Sequence, residues 1–170
     1  GTLFACGHIR EKPDLICLSK GLTGGFLPLG ATACNEKIFN AFLGADLHQA
    51  FLHGHSYTAN PLACSSALAS LDLLLEPACF IQREKIESAH KIFCEKLQSH
   101  PKLIRCETLG TILACEYKTE STSYFQPIRD RLYDFFLNKG ILLRPLGNVL
   151  YVLPPYCIQP EELEFIYSQI

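Results

Sequence analysis

The 170-residue sequence contains no methionine. It therefore lacks the residue that a start codon encodes, and its opening Gly1-Thr2-Leu3-Phe4 reads as the interior of something longer, so a fragment is expected. None of its nine cysteines stands in C-x-x-C spacing. That removes the usual signature of a structural zinc site or a dithiol redox motif, and no metal is expected. No apolar run approaches the ~20 residues of a membrane span, and no signal-like segment opens the chain, so no membrane partner is expected. Charge of either sign is not in excess: 15 Lys and Arg against 17 Asp and Glu leave a net −2. No basic field invites nucleic acid and no acidic tail suggests disorder. The expected compartment is the cytoplasm. Internal repeats and low-complexity tracts are lacking too.

What is present suits a globular protein with a real core, since 48% of the residues are hydrophobic. Cys17, Cys64, Cys94 and Cys115 fall where a strand or helix would bury a small apolar group, and are expected there. Residues 14–18 read as a buried strand and 29–34 as a second, short one. Residues 36–43 have helical spacing, and 44–60 form a polar, His-rich loop. Asn60 is a plausible N-cap for a helix from Pro61 to Leu75. A second helix, 80–99, is expected to turn Ile81, Ile86, Ile92, Phe93 and Leu97 inward. After Pro101 the texture changes. Strands at 104–109 and 112–117 flank Gly110-Thr111, and a helix over 126–138 stops at Lys139-Gly140. Strands at 141–144 and 149–153 precede a last helix near Gln159-Pro160. This β-β-α-β-β-α order predicts a small α+β domain over 101–170.

The candidate for chemistry is Lys20, in Asp14-Leu15-Ile16-Cys17-Leu18-Ser19-Lys20-Gly21-Leu22-Thr23-Gly24-Gly25. A strand that delivers one amine into a glycine-lined pocket suits a lysine that forms a Schiff base, provided that the site is partly desolvated so that the neutral amine is available. A surface lysine is the plain alternative. The pair His53 and His55 has H-x-H spacing, but no third ligand stands nearby at a suitable interval.

The Lys20 segment, continued through Phe26-Leu27-Pro28-Leu29-Gly30, resembles the cofactor-lysine segment of the class III pyridoxal-phosphate aminotransferases. Phe51-Leu52-His53-Gly54-His55-Ser56-Tyr57-Thr58-Ala59-Asn60-Pro61 is similar to the loop that, in that family, reaches across a dimer interface to the partner's cofactor phosphate. Gly140-Ile141-Leu142-Leu143-Arg144-Pro145-Leu146-Gly147-Asn148-Val149-Leu150-Tyr151 resembles the C-terminal domain of the branch that works in biotin synthesis. Gly1 matches the last residue of the family's Gly-Arg-Thr-Gly signature.

The resemblance implies an α/β fold: the end of the large domain of a fold-type I pyridoxal-phosphate-dependent transferase (1–100, with a connecting helix) followed by a small C-terminal α+β domain (101–170). It implies pyridoxal 5′-phosphate as cofactor, with Lys20 as catalytic and cofactor-linked residue and His55 and Ser56 as cofactor-binding residues. Gly54, Arg144 and Tyr151 would bind substrate, Arg144 by two parallel bonds to a carboxylate. The implied reaction moves an amino group from S-adenosylmethionine to 8-amino-7-oxononanoate, in a homodimer. The residues that the family places on the pyridine nitrogen and the ring face have no counterpart here, so the chain alone is expected neither to hold the cofactor tightly nor to transaminate. Other readings stay open: an ornithine or ω-amino acid aminotransferase, an inactive split-gene remnant, or a non-catalytic α/β interaction module.

Overall fold

The structure is a computed structural model that describes residues 2–9, 11–119 and 127–170. Gly1 and the expected first residue of the fourth helix, Gln126, lie outside the described residues. Contacts group the chain into two compact units, Gly1–Glu76 and Pro77–Ile170.

In the first unit, β1 (Leu15–Leu18) pairs antiparallel with β2 (Ala31–Cys34), Leu18 opposite Ala31 and Leu15 opposite Cys34. The 12 residues between them therefore make a long excursion that leaves and re-enters a two-stranded ribbon, and Lys20 stands at its start. Helix α1 (Glu36–Asn40) is short, and its N-cap Asn35 accepts a bond from the Ile38 N–H. Helix α2 (Pro61–Leu75) begins as the sequence leads one to expect: the Asn60 side chain accepts from the Leu62 N–H, and Pro61 sits in the first turn. Among the described residues of this unit only Thr23 and Ala63 are buried. Cys17, expected in the interior, is exposed, because a two-stranded ribbon has no second layer over that face.

The second unit has a core. Helix α3 (Pro77–Leu97) is longer than expected, starting at Pro77 where proline suits a first turn. Strands β3 (Leu103–Leu109), β4 (Ile112–Tyr117) and β5 (Val149–Val152) form an antiparallel sheet in the order β3-β4-β5. Between β4 and β5 runs α4 (Pro127–Asn138), and α5 (Pro160–Gln169) closes the chain. Leu113 and Cys115 of β4 and Leu150 and Val152 of β5 are buried. They pack with Cys94 of α3, Leu163 of α5 and Phe136 of α4, so the three helices cover one face of the sheet.

The buried residues of α3 are Ile86, His90 and Cys94. Their four-residue spacing makes one stripe. Ile81 and Ile92, expected to face inward, are both more than half exposed, because they lie off that stripe. The end of α4 is a Schellman motif: the Ile141 N–H donates to Phe136 O (2.9 Å) and the Gly140 N–H to Leu137 O (2.9 Å). Gly140 adopts φ +76°, the left-handed geometry that this motif requires. That motif also explains why the expected strand at 141–144 does not form. The Ile141 N–H is committed to the helix, Pro145 has no N–H, and pairing is confined to one bridge, Leu146 with Val149. The second unit is therefore β-β-α-β-α after its leading helix, not β-β-α-β-β-α.

Candidate active site

Lys20 opens a 3-10 turn, Lys20–Thr23, directly after β1. Its φ is +52°, in the left-handed region that a side chain with a Cβ rarely occupies. Two backbone bonds and a two-bond side-chain clasp, three links in all, hold the turn. The Leu22 N–H donates to Ser19 O (3.2 Å), and the Gly24 N–H donates to Gly21 O (3.0 Å). The third is a clasp: Thr23 Oγ1 donates to Leu27 O (2.5 Å) and accepts from the Leu27 N–H (3.3 Å). Ser66 of α2 then donates its hydroxyl to Thr23 O (3.2 Å). Gly24 sits at φ +63°, and a Cβ there would lie 3.3 Å from Ser70 Oγ, so glycine both turns the chain and lets α2 approach. Thr23, 2% exposed, is the anchor of this arrangement. Sequence reading passed over it, although a threonine three residues after the lysine in a Gly-rich turn was the available signal.

The His55–Asn60 loop supplies the other wall. The His55 N–H donates to Thr58 Oγ1 (2.9 Å), and the Thr58 N–H returns to His55 O (3.0 Å). His55 Nδ1 accepts from the Tyr57 N–H (3.1 Å). With Nδ1 an acceptor, the proton of the neutral ring sits on Nε2, which is left as a donor. Ala59 takes φ +54° immediately before the Asn60 cap.

These two segments enclose an open cleft of about 940 Å³. Lys20, His55, Tyr57, Thr58, Gly25 and Gly30 are among the residues that line it. The structure thus brings Lys20 and His55 to one cleft. Gly54 and Ser56 lie on the same loop but are exposed and do not line it. A Cβ at Gly54 would meet only Thr58 Oγ1 at 3.6 Å, an ordinary contact, so nothing in this unit demands glycine there. Lys20 is exposed; the described residues do not by themselves build the desolvated setting that a Schiff-base lysine needs.

Arg144 and Tyr151 belong to the second unit. Arg144 is exposed and forms no ion pair among the described residues. The buried Pro145 follows it at once, so its backbone is held while its guanidinium stays available. The turn after it is fixed by Asn148, 4% exposed, whose side chain donates to Tyr117 O (2.8 Å) while its carbonyl accepts from the Tyr117 N–H (2.9 Å). Tyr151 is half-buried and pairs with Ala114. Because side chains alternate along β5, it stands on the sheet face opposite the one covered by helices. No group of three or more His, Cys, Asp or Glu among the described residues could hold a metal ion.

Lys20, in a left-handed turn at a strand end, thus shares one cleft with the His55 imidazole and the Tyr57 and Thr58 hydroxyls. The chain belongs to the class III aminotransferases, whose family model matches residues 1–170. It is 49% identical over 170 residues to the adenosylmethionine-8-amino-7-oxononanoate aminotransferase of Synechococcus elongatus, covering 100% of this chain and 40% of that protein. To the protein of the same name from Aquifex aeolicus it is 37% identical over 180 residues, 100% of this chain and 39% of that one. The crystal structure of the Methanocaldococcus jannaschii protein of that name superposes with a TM-score of 0.82 at 33% identity, covering 93% of this chain and 37% of that one. The chain thus spans about 40% of the length of the curated relatives it matches. Its fold is the corresponding part of a fold-type I enzyme: the end of the large domain and the small α+β domain.

Proposed function

We propose that this chain is the cofactor-lysine part of a pyridoxal-phosphate-dependent transaminase that transfers the amino group of S-adenosylmethionine to 8-amino-7-oxononanoate, giving 7,8-diaminononanoate for biotin. The observation that carries the reading is Lys20, held at φ +52° at the mouth of a cleft that His55, Tyr57 and Thr58 complete.

The residues present fit the lysine-linked and phosphate ends of the cofactor. The cleft has the size of a small-molecule site, within the ~300–1,000 Å³ such sites span, and its donors suit an anionic phosphate. When bound, pyridoxal phosphate supplies a carbonyl for covalent linkage and an electron sink for charge at the amino-bearing carbon. Lys20 Nζ would hold that carbonyl covalently and would be the group that moves a proton at the substrate carbon. The His55 Nε2–H and the Thr58 hydroxyl face the cleft as donors, Thr58 keeping its own proton because it accepts the His55 N–H. Arg144 would take a substrate carboxylate through its planar fork, and Tyr151 would contact substrate. Gly54 and Ser56 serve the partner subunit's site, which requires a homodimer. The compartment proposed is the cytoplasm.

Borohydride reduction of the chain assembled with the remaining polypeptide of the Synechococcus elongatus protein and pyridoxal phosphate, followed by peptide mapping, tests the first step. The label is expected on Lys20 and lost in Lys20→Ala; label spread over several surface lysines would refute the site. Donor choice is tested by supplying the remaining polypeptide of the Synechococcus elongatus protein alongside this chain. S-adenosylmethionine is expected to serve as donor, and its failure while ornithine or 4-aminobutyrate works would overturn the substrate assignment.

A further inference from the structure

Three thiols meet in the core of the second unit, and neither the aminotransferase chemistry nor the cleft uses them. Cys106 of β3 and Cys115 of β4 are direct cross-strand partners. Leu109 and Ile112 close the two-residue Gly110-Thr111 turn and form a hydrogen-bonded pair. Alternation outward from that turn makes Cys106 and Cys115 a non-hydrogen-bonded pair, the kind in which opposing side chains come closest. Their sulfurs are 3.5 Å apart. A disulfide needs about 2.05 Å between sulfurs and ~4.4–6.8 Å between Cα atoms, and directly opposed antiparallel residues meet the second condition without backbone movement. Only the side chains must close the gap.

The third thiol is placed differently. Cys94 of α3 donates its S–H to the Cys106 carbonyl (2.8 Å), and burial pushes its thiol up to about 12. It is held as a thiol by a backbone acceptor, whereas Cys106 and Cys115 share a proton between their sulfurs. That sharing holds the Cys115 thiol below its usual value and Cys106 above. Exposure also separates the pair. Cys106 is partly open to solvent and Cys115 is 1% exposed.

We propose that Cys106 and Cys115 are an oxidation site that closes to an intrachain disulfide across β3 and β4 when the protein meets a small two-electron oxidant such as hydrogen peroxide. Cys106, the sulfur open to solvent, reacts through the small deprotonated fraction that its raised thiol leaves, so the step is slow, and it attacks the peroxide O–O bond. One oxygen stays on sulfur as a sulfenic acid, and the other leaves with the thiol proton as water. The Cys115 sulfur then attacks Cys106. The S–S bond forms, the S–O bond breaks, and the departing hydroxide leaves with the Cys115 proton as a second water. Two thiols lose two electrons and peroxide gains them. Cys106 is the sulfur that the oxidant reaches, and the enclosed Cys115 resolves it before a second peroxide can carry Cys106 to the irreversible sulfinic acid. The bridge staples the hairpin in its existing register. This inference is independent of the cofactor reading.

The test treats the full native chain with hydrogen peroxide, quenches with an alkylating agent and maps peptides without reductant. The expected result is one bridged peptide pair, joining the peptides that hold Cys106 and Cys115, with a mass lower by two hydrogens and reversed by dithiothreitol. Two of the nine thiols become unavailable to alkylation. Cys94→Ser keeps the bridge, while Cys106→Ser and Cys115→Ser each lose it. If a serine variant fails to fold, the mapping of the unsubstituted chain still decides. A bridge to Cys94, sulfinic acid at Cys106 with Cys115 left free, or a bridge that forms only in urea would each overturn the proposal.

Discussion

His90 is 0% exposed, yet both ring nitrogens have partners. Nε2 lies 3.1 Å from Thr111 O, which can only accept, so Nε2 carries the proton. Nδ1 is then the acceptor, and the Tyr167 hydroxyl donates to it at 2.6 Å. The ring thus ties α3 to the β3–β4 turn and to α5, while Phe93 stacks on Tyr167 at 4.2 Å. His90→Leu keeps an apolar side chain of similar bulk and removes both bonds. Each is worth about 1 kcal/mol net, and the orphaned Tyr167 hydroxyl and Thr111 carbonyl, both half-buried, add a fraction of the full desolvation cost, for a total loss of about 2–3 kcal/mol. Burial holds the His90 pKa below its ordinary value, with the Thr111 bond opposing in part. The unfolded chain therefore binds this proton more readily than the folded one. The stability that His90 contributes is complete above about pH 6.5 and drains away as pH falls through the lowered folded value. His90→Leu has no such proton. Urea unfolding followed by circular dichroism should show the gap between the two proteins narrowing by up to about 1 kcal/mol from pH 7.5 to pH 5.5. A gap under about 0.5 kcal/mol at pH 7.5, or one that does not change with pH, would refute the reasoning.

Phe136→Ala should cost about 3–5 kcal/mol in the same urea experiment, because Phe136 is 1% exposed and anchors α4 to Ile141 and Leu150. A loss below about 1 kcal/mol would mean that α4 does not pack as described. Asn60→Ala removes the acceptor for the Leu62 N–H and should lower stability by about 1 kcal/mol, most of it restored by Asp at that position. Ala59→Gly relieves a left-handed residue and should raise the melting temperature, by an amount equivalent to about 0.5–1 kcal/mol. An unchanged or lower melting temperature would count against the loop geometry.

Sequence pattern is most legible where local chemistry decides the structure. The Asn60-Pro61 start of α2, the Lys139-Gly140 end of α4 and both β3–β4 strands follow from caps, turn residues and alternation, all of which act over a few positions. The failures have a different origin. The inward stripe of α3 runs through His90 and Cys94 and not through Ile81 and Ile92, because the face is chosen by what the sheet offers. A histidine counts as polar in any periodicity, and only its two partners, one of them 77 residues away, make it a core residue. The strand at 141–144 is lost to a helix-ending bond that composition does not reveal. At the site, Lys20 was a candidate from its residue type and flanks and the His55 loop from the resemblance, and their meeting at one cleft is what the fold adds. Thr23 and Thr58 escaped because small hydroxyls in loops are common and gain meaning only from the backbone atoms they clasp.

If Lys20 has the role proposed for it, its backbone sets activity and stability against each other at a single position. Glycine is the residue that φ +52° favours, and Lys20→Gly should leave a chain more stable by a sizeable part of the ~1–2 kcal/mol that a left-handed residue costs, while removing the one amine at the cleft. A screen for thermostable variants would therefore be drawn toward the substitution that a screen for turnover must reject.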